Sequence, residues 1–506
     1  MPDVALETAL DDRLSRAVDA RLAKMEQDEV IPRIWRRDHT VWRPDPTEIS
    51  DRLGWLNLPH TSAALIPDLL GLAEEAAEAG LTHALLLGMG GSSLAPEVFR
   101  RSLGVAPGAL DLRVLDSTHP DAVAAVEEEI PLDRTLFVVS SKSGTTIETR
   151  SHLAYFHSLV GDGSRFVAIT DPGSPLESEA AERGFRRVLK AAPDVGGRYS
   201  ALTAFGLLPA ALIGADLAVL LGSAAEAAAS CGGGHAATAN PGAALGAIMG
   251  EAALAGRDKL TILSADPVSA LGAWLEQLVA ESTGKDGKGI VPVDLEPFHP
   301  ATADRTNLVI GGDTPSEPWA RLQVDRPDSL GAAMFVLEFA TAVAGHVLGI
   351  HPFDQPDVQS AKDRTGEALK APPAGEPGGD IDEMLGTVRP GDYVGIQAFV
   401  APSAETWESL QSARRVIGER LEVATTLGYG PRYLHSTGQL HKGGPPAGVF
   451  LQVIQEPADD RDIPGEDYSF GRLIAAQAAG DLAALRERGR RVARVSLDSL
   501  LAWGSG

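Results

Sequence analysis

Four apolar runs of strand length, each ending in small or polar residues, constrain this chain more than any other feature. They are 82–91 (THALLLGMGG), 112–118 (LRVLDST), 135–144 (TLFVVSSKSG) and 165–174 (RFVAITDPGS). Helix-like stretches such as 148–160 (ETRSHLAYFHSLV) follow them. Runs that are apolar at consecutive positions suit strands buried on both faces, and their alternation with helices implies βαβ units and a parallel sheet. A first α/β domain is expected over 62–225.

A second series follows. KLTILSA (259–265), GKGIVPVDL (287–295), TNLVIGG (306–312) and RLQVDR (321–326) read as strands, and 267–283 and 329–349 as helices. A second α/β domain is expected over 243–455, joined to the first through the Gly/Ala-rich stretch 230–242 and interrupted by a Pro/Gly/acidic loop at 371–383. Leu6, Leu10, Leu14, Val18 and Leu22 recur every four residues, as on one helix face. Residues 1–61 therefore read as a helical arm. The tail, 456–506, reads as helix, glycine stop, helix, strand. The fold class is α/β, with two doubly wound parallel-sheet domains.

The charge narrows the partners. The 506 residues carry 44 Lys+Arg against 69 Asp+Glu, a net −25. Such a chain repels phosphate backbones and anionic bilayers, so neither nucleic acid nor a membrane surface is an expected partner. One cysteine, Cys231, cannot form an intrachain disulfide, which suits a reducing compartment. The N-terminus shows no basic region followed by an apolar one, and Met334 to Leu348 is interrupted by Glu338 and His346. A cytoplasmic protein is expected. No H-x-x-x-H or H-E-x-x-H spacing occurs, so no metal site is expected.

In open α/β sheets, ligands bind outside the carboxyl ends of the strands. Gly88-Met89-Gly90-Gly91-Ser92-Ser93 is the first such loop; its glycines let backbone N–H groups approach an anion. The G-x-G-x-x-G pattern of dinucleotide sites fails at Ser93, although Asp116 ends the next strand. The second loop, 140–146 (SSKSGTT), concentrates the hydroxyls of Ser141, Ser143 and Thr146 and the ammonium of Lys142 around one glycine. That set suits a phosphate, though a Ser-rich surface turn reads the same way. In 195–200 (VGGRYS), the Gly196-Gly197 pair would let Arg198 approach a developing oxyanion, or simply mark a turn. Glu281 closes a long apolar helix before Gly284. A desolvated carboxylate there is a candidate general base; a solvated one is an ordinary last-turn residue. The stretch 429–445 (YGPRYLHSTGQLHKGGP) is the chain's densest cluster of His, Lys, Gln and Gly, and reads as a functional loop.

GMGGSSL, SSKSGTT, VGGRYS, ESTGK and PFDQPDVQSAK, in that order, resemble the phosphoglucose isomerase family, built of two sugar-isomerase (SIS) domains. The resemblance spans about 60–455. YGPRYLHSTGQLHKGGP and IWRRDHTVWRPDPTEISDRLGWL look most like the isomerase half of bacterial transaldolase–isomerase fusions; no transaldolase activity is expected of this chain itself.

The resemblance implies interconversion of glucose 6-phosphate and fructose 6-phosphate through a cis-enediol, without metal or cofactor, in a cytoplasmic homodimer with shared active sites. It makes Glu281 the base and Arg198 the enediolate-stabilising cation. Ser141, Lys142, Ser143 and Thr146 become the phosphate loop, with Gly90, Gly91, Ser92 and Gly197 lining the sugar. Lys442 matches the lysine near the ring oxygen, with Gln439 beside it. The family's ring-opening histidine segment, GTNGQH, is missing, which leaves His435 and His441 as candidates for that step. ESTGK stands where ESNGK is usual. The alternatives are a phosphomannose or dual-specificity isomerase, and a non-catalytic SIS-type sugar-phosphate sensor.

Overall fold

A computed structural model of the chain describes residues 5–299, 302–311, 320–324, 326–370 and 378–505, with backbone only at 357–363 and 505. The strands among the described residues are β1 (Leu6–Thr8), β2 (His83–Gly88), β3 (Asp111–Leu115), β4 (Thr135–Ser140), β5 (Phe166–Thr170), β6 (Arg187–Lys190), β7 (Lys259–Ser264), β8 (Val291–Asp294), β9 (Arg305–Ile310), β10 (Ala320–Leu322), β11 (Tyr393–Phe399), β12 (Ala424–Tyr429), β13 (Gly448–Ile454) and β14 (Arg491–Ser496).

The first five-stranded sheet has the order β3-β2-β4-β5-β6, parallel throughout. Its order reverses between β2 and β4, which pair directly. The loops leaving those strands, Gly88–Ser93 and Ser140–Thr146, therefore flank the switch point where α/β sheets bind ligands. All residues of β4 and β5 are buried, as apolar runs covered on both faces should be. The shorter β6 was not foreseen.

The second half of the chain forms two sheets. One has the order β1-β10-β9-β7-β8, with β1 antiparallel at its edge; the other, β12-β11-β13-β14, is parallel throughout. Their edges meet where Glu296 Oε1, just past β8, accepts from Thr425 N in β12 at 2.6 Å. Arg414, buried, bridges the same seam by donating to Asp294 O and Leu295 O. The Leu271–Thr283 helix leaves β7 and returns toward β8.

Helix Leu330–Leu348 is the central core element: every residue except His346 is buried. Its length and apolarity would suffice to cross a membrane, but its surface is spent inside the protein. The basic–aromatic stretch after the N-terminal helix packs against it. Trp42 Nε1 donates to Ala342 O at 2.8 Å, and Trp35 and Trp55 lie against Phe335 and Phe339.

Three local expectations need correction. Leu6 is in strand β1, not on the arm's helix, and Leu10 precedes that helix; it starts at Asp12, where the Asp11 carboxylate caps Arg13 N and Leu14 N. Gly480 does not stop a helix. The helix runs unbroken from Phe470 to Glu487, and a Cβ at Gly480 would lie 3.1 Å from Thr365 N, so glycine there admits the neighbouring Pro356–Lys370 helix. Of the 371–383 loop, residues 371–377 lie outside the described residues, and Ile381–Leu385 is a short helix. The expected tail, 456–506, supplies edge strand β14.

Candidate active site

Two glycine loops meet backbone to backbone at the carboxyl end of the first sheet. A Cβ on Gly91 would sit 2.0 Å from Gly197 O, so only glycine allows that approach. Gly90, at φ +56°, faces His435 O and Gln277 Nε2 at similarly short range. These contacts bring the Gly88–Ser93 loop, the turn carrying Arg198, the Leu271–Thr283 helix and the 429–445 loop to one place. Ser140 Oγ reaches Ser92 O at 3.4 Å, adding the SSKSGTT loop.

Glu281 is 5% exposed and Arg198 4%. Arg198 NH1 stands 3.6 Å from Glu281 Oε2, and Gln277, one turn earlier on the same helix, donates Nε2–H to that oxygen at 3.2 Å. Burial pushes the Glu281 carboxyl up; Arg198, Lys285 and His435 pull it back without cancelling the shift. The result is a carboxylate more basic than a solvated one, beside a cation able to hold a developing negative oxygen. Arg198 is itself held: Nε donates to Ser282 Oγ at 2.9 Å, NH1 to Gln355 Oε1 at 3.1 Å, and NH2 to Pro352 O and Asp354 O at 2.7 and 2.9 Å. Thr283, the departure in ESTGK, is buried, donating to Val279 O and accepting from Ile290 N.

In the SSKSGTT loop, Ser141 Oγ donates to Thr146 Oγ1 at 3.1 Å, and Ser143 and Thr145 share a hydrogen bond at 2.9 Å. Thr146 stands at the N-cap of the Ile147–Val160 helix, whose N-terminal amides favour an anion. Lys142 Nζ is paired with both Asp171 oxygens at 2.8 Å.

Sequence reasoning missed Glu148. It lies in the first turn of that same helix and is 3% exposed. Its Oε1 is 2.8 Å from His435 Nε2 and accepts from Gln477 Nε2 at 2.7 Å. Burial pushes this carboxyl up, but the His435 charge and hydrogen bond, among other contacts, outweigh it and leave it lowered, so it stays an acceptor. Its only sequence signal was an acid just inside the helix after the hydroxyl loop.

The structure separates the remaining residues of the 429–445 loop. His435 joins the site. His441 is buried beside the Tyr433 and Phe450 rings, its Nδ1 3.1 Å from Gln397 Nε2. Burial, Lys442 and Arg490 hold it well below the usual imidazole range. Lys442 Nζ pairs with buried Asp481 at 2.5 Å and points toward Gly438 O. Gln439 Nε2 donates to Gly284 O at 3.1 Å, tying the loop to the end of the helix that carries Glu281. Asp116 holds Arg432 in a bidentate pair at 2.6 and 3.0 Å, fastening the same loop to the first sheet. Among the described residues no group of three or more His, Cys, Asp or Glu converges on a metal site.

A hydroxyl-rich loop at a parallel-sheet switch point thus lies at the same end of the first sheet as a buried carboxylate–guanidinium pair. The model of the phosphoglucose isomerase family matches residues 71–291. A glucose-6-phosphate isomerase of Rubrobacter xylanophilus is 28% identical over 416 residues, covering 68% of this chain and 94% of that one. One of Synechococcus is 38% identical over 215 residues, 40% of each chain. The crystal structure of a glucose-6-phosphate isomerase from Chlamydia trachomatis shares the fold, with a TM-score of 0.61 at 20% identity over 73% of this chain and 89% of that one. Over residues 71–291 the chain is thus similar to the phosphoglucose isomerases, and with the Chlamydia trachomatis enzyme it shares a fold.

Proposed function

We propose that this protein interconverts glucose 6-phosphate and fructose 6-phosphate by moving one proton between C2 and C1. Ser141, Ser143, Thr146 and the loop amides hold the phosphate, with Lys142 close behind. That anchor fixes the reacting carbons against Glu281, which is how positioning lowers the barrier. His435, oriented by Glu148, exchanges the proton that opens and closes the ring. Glu281 then takes the proton from one carbon and returns it to the other, while Arg198 stabilises the enediolate oxygens. The observation that carries this reading is the desolvated Glu281 carboxylate, kept basic 3.6 Å from Arg198.

A sensor needs the phosphate loop but no such base. Lys442 and His441 support the loop from behind, so His435 takes the ring-opening role. The resemblance of the 429–445 loop and the basic–aromatic arm to the isomerase half of transaldolase–isomerase fusions favours kinship with those enzymes. A cytoplasmic homodimer follows from the same resemblance. In it Glu148, Arg198, Glu281 and His435 would all come from one chain, and the ring-opening histidine would not cross between subunits.

The test is conversion of fructose 6-phosphate to glucose 6-phosphate by the purified chain in EDTA, beside Glu281→Gln. We expect the wild type to turn over and the variant to lose at least about 10²-fold in kcat while still binding the sugar phosphate. Binding without turnover by the wild type, with either glucose or mannose 6-phosphate, makes the protein a sensor.

A further inference from the structure

Lys285 takes no part in the mechanism above, yet it is buried within the same cluster. It is 4% exposed, one turn past Glu281. Its ammonium donates to His351 O and to Asp354 O at 2.6 Å each, and lies 2.6 Å from Asp354 Oδ1. Asp354 O also accepts from Arg198 NH2, and Arg198 further grips Pro352 O and Gln355 Oε1. Two buried cations therefore clamp one five-residue segment, 351–355, and share a carbonyl. The segment is stiffened from its other side: His351 Nδ1 accepts from Phe353 N, and His351 Nε2 is 3.1 Å from Thr47 O.

Placing an ammonium here is costly. Burial and then Arg198 push Lys285 down to about 7, against the pull of Asp354 and Glu281. Backbone carbonyls alone could be satisfied by a neutral donor, so a cation at this position points to a use for the charge.

We propose that Lys285 is a positioning residue of the isomerase site: it pins segment 351–355 so that Arg198 stays on Glu281, and its charge sets the basicity of that glutamate. The inference rests on the isomerase reading. The charged groups facing Glu281 are Arg198, Lys285 and His435. Those facing Lys285 include Arg198, Asp354 and Glu281, with His351 behind Asp354. Removing the Lys285 charge leaves Glu281 with one cation fewer, so its proton is held to higher pH. The acid limb of kcat/KM, which reports the free enzyme's base, then moves upward.

The experiment measures kcat and KM against pH for wild type, Lys285→Met, Lys285→Gln and Lys285→Arg, with far-UV circular dichroism on each. For Met and Gln we expect kcat to fall about 10- to 100-fold, KM to change less than about threefold, and the acid limb to rise by about one pH unit. Arg should keep the limb of the wild type, because it keeps the charge. Gln keeps hydrogen-bond donors and serves if Met does not fold. Folded neutral variants whose acid limb stays where the wild type has it overturn the proposal. So does an Arg variant whose limb moves as far as that of Gln. A wild type with no turnover defeats the isomerase reading itself, and is a different outcome from either.

Discussion

Glu148 and His435, 287 positions apart in the chain, meet at 2.8 Å, and the glutamate is buried and held as an acceptor. On the proposed mechanism, that geometry separates ring opening from proton transfer. Glu148→Gln should lower turnover of the cyclic sugar about 10- to 100-fold and slow anomerisation of glucose 6-phosphate in parallel, because the imidazole loses its anionic partner. Glu281→Gln should keep anomerase activity while losing isomerisation. Magnetisation-transfer NMR on the two anomers reads both. Anomerisation unchanged in Glu148→Gln would falsify the pairing of these two residues in ring opening.

The contact of Gly91 with Gly197 makes a second prediction. A methyl at Gly91 has to displace a backbone oxygen lying 2.0 Å from its Cβ position. Gly91→Ala should cost about 1–3 kcal/mol in urea unfolding and lower kcat by spreading the loops that carry Ser92 and Arg198. Gly71→Ala is the control. That glycine lies inside the Ile66–Glu78 helix with nothing within 4 Å of the added carbon, so the change should be stabilising by about 0.5–1 kcal/mol.

Lys442 is expected to matter for stability before chemistry. Its ammonium compensates Asp481, which also accepts from Tyr433 Oη at 2.6 Å. Lys442→Met strands that carboxylate in the interior and should cost about 3–5 kcal/mol, more than a surface lysine ever does. A thermal melt unchanged by the substitution would sink this account and return Lys442 to the sugar.

Glu276 and Asp294 give the protein a pH dependence opposite to acid denaturation. Glu276, half-buried one turn and a half before Glu281, is pushed up to about 8, by desolvation first and then by the Asp294 charge. In the unfolded chain a glutamate ionises near its ordinary value of about 4.3. Between those limits the native state binds more protons than the unfolded one, so stability falls as pH rises from about 5 to 8, by at most about 1.4 kcal/mol per unit for one proton. Glu281, raised for the same reason, adds to the slope. Glu276→Gln should flatten it. The check is a set of urea midpoints at half-unit pH steps for wild type and Glu276→Gln, and a difference between the two that does not change over that range contradicts the assignment.

The first sheet was legible because β2, β4 and β5 are buried on both faces and so carry no polar residue in their middles. The three loops stood out in the sequence because they follow strands of an open α/β sheet, where ligands bind, and Glu281 because it closes an apolar helix. The roles within 429–445 were not. His435 and His441 look alike in sequence and differ only in what tertiary structure puts beside them: a carboxylate in one case, aromatic rings and a lysine in the other. Glu148 was hidden for the same reason, since its partners lie near the other end of the chain. Strand β1 escaped notice because three residues pairing with a distant edge leave no periodicity. Gly480 misled because glycine marks close packing as often as it marks an ending.

The loop that brings His435 into place is fastened to the first sheet by Arg432–Asp116, and His435 and Gln477 both hold Glu148. Phosphate loop, arginine and base therefore leave the ribosome well before the residue that completes them. On the proposed mechanism a chain cut before His435 retains the phosphate-loop residues, Arg198 and Glu281 but lacks the residue that opens the ring. Damage to the 432–477 region is therefore felt some 300 positions earlier in the chain, at Asp116 and Glu148.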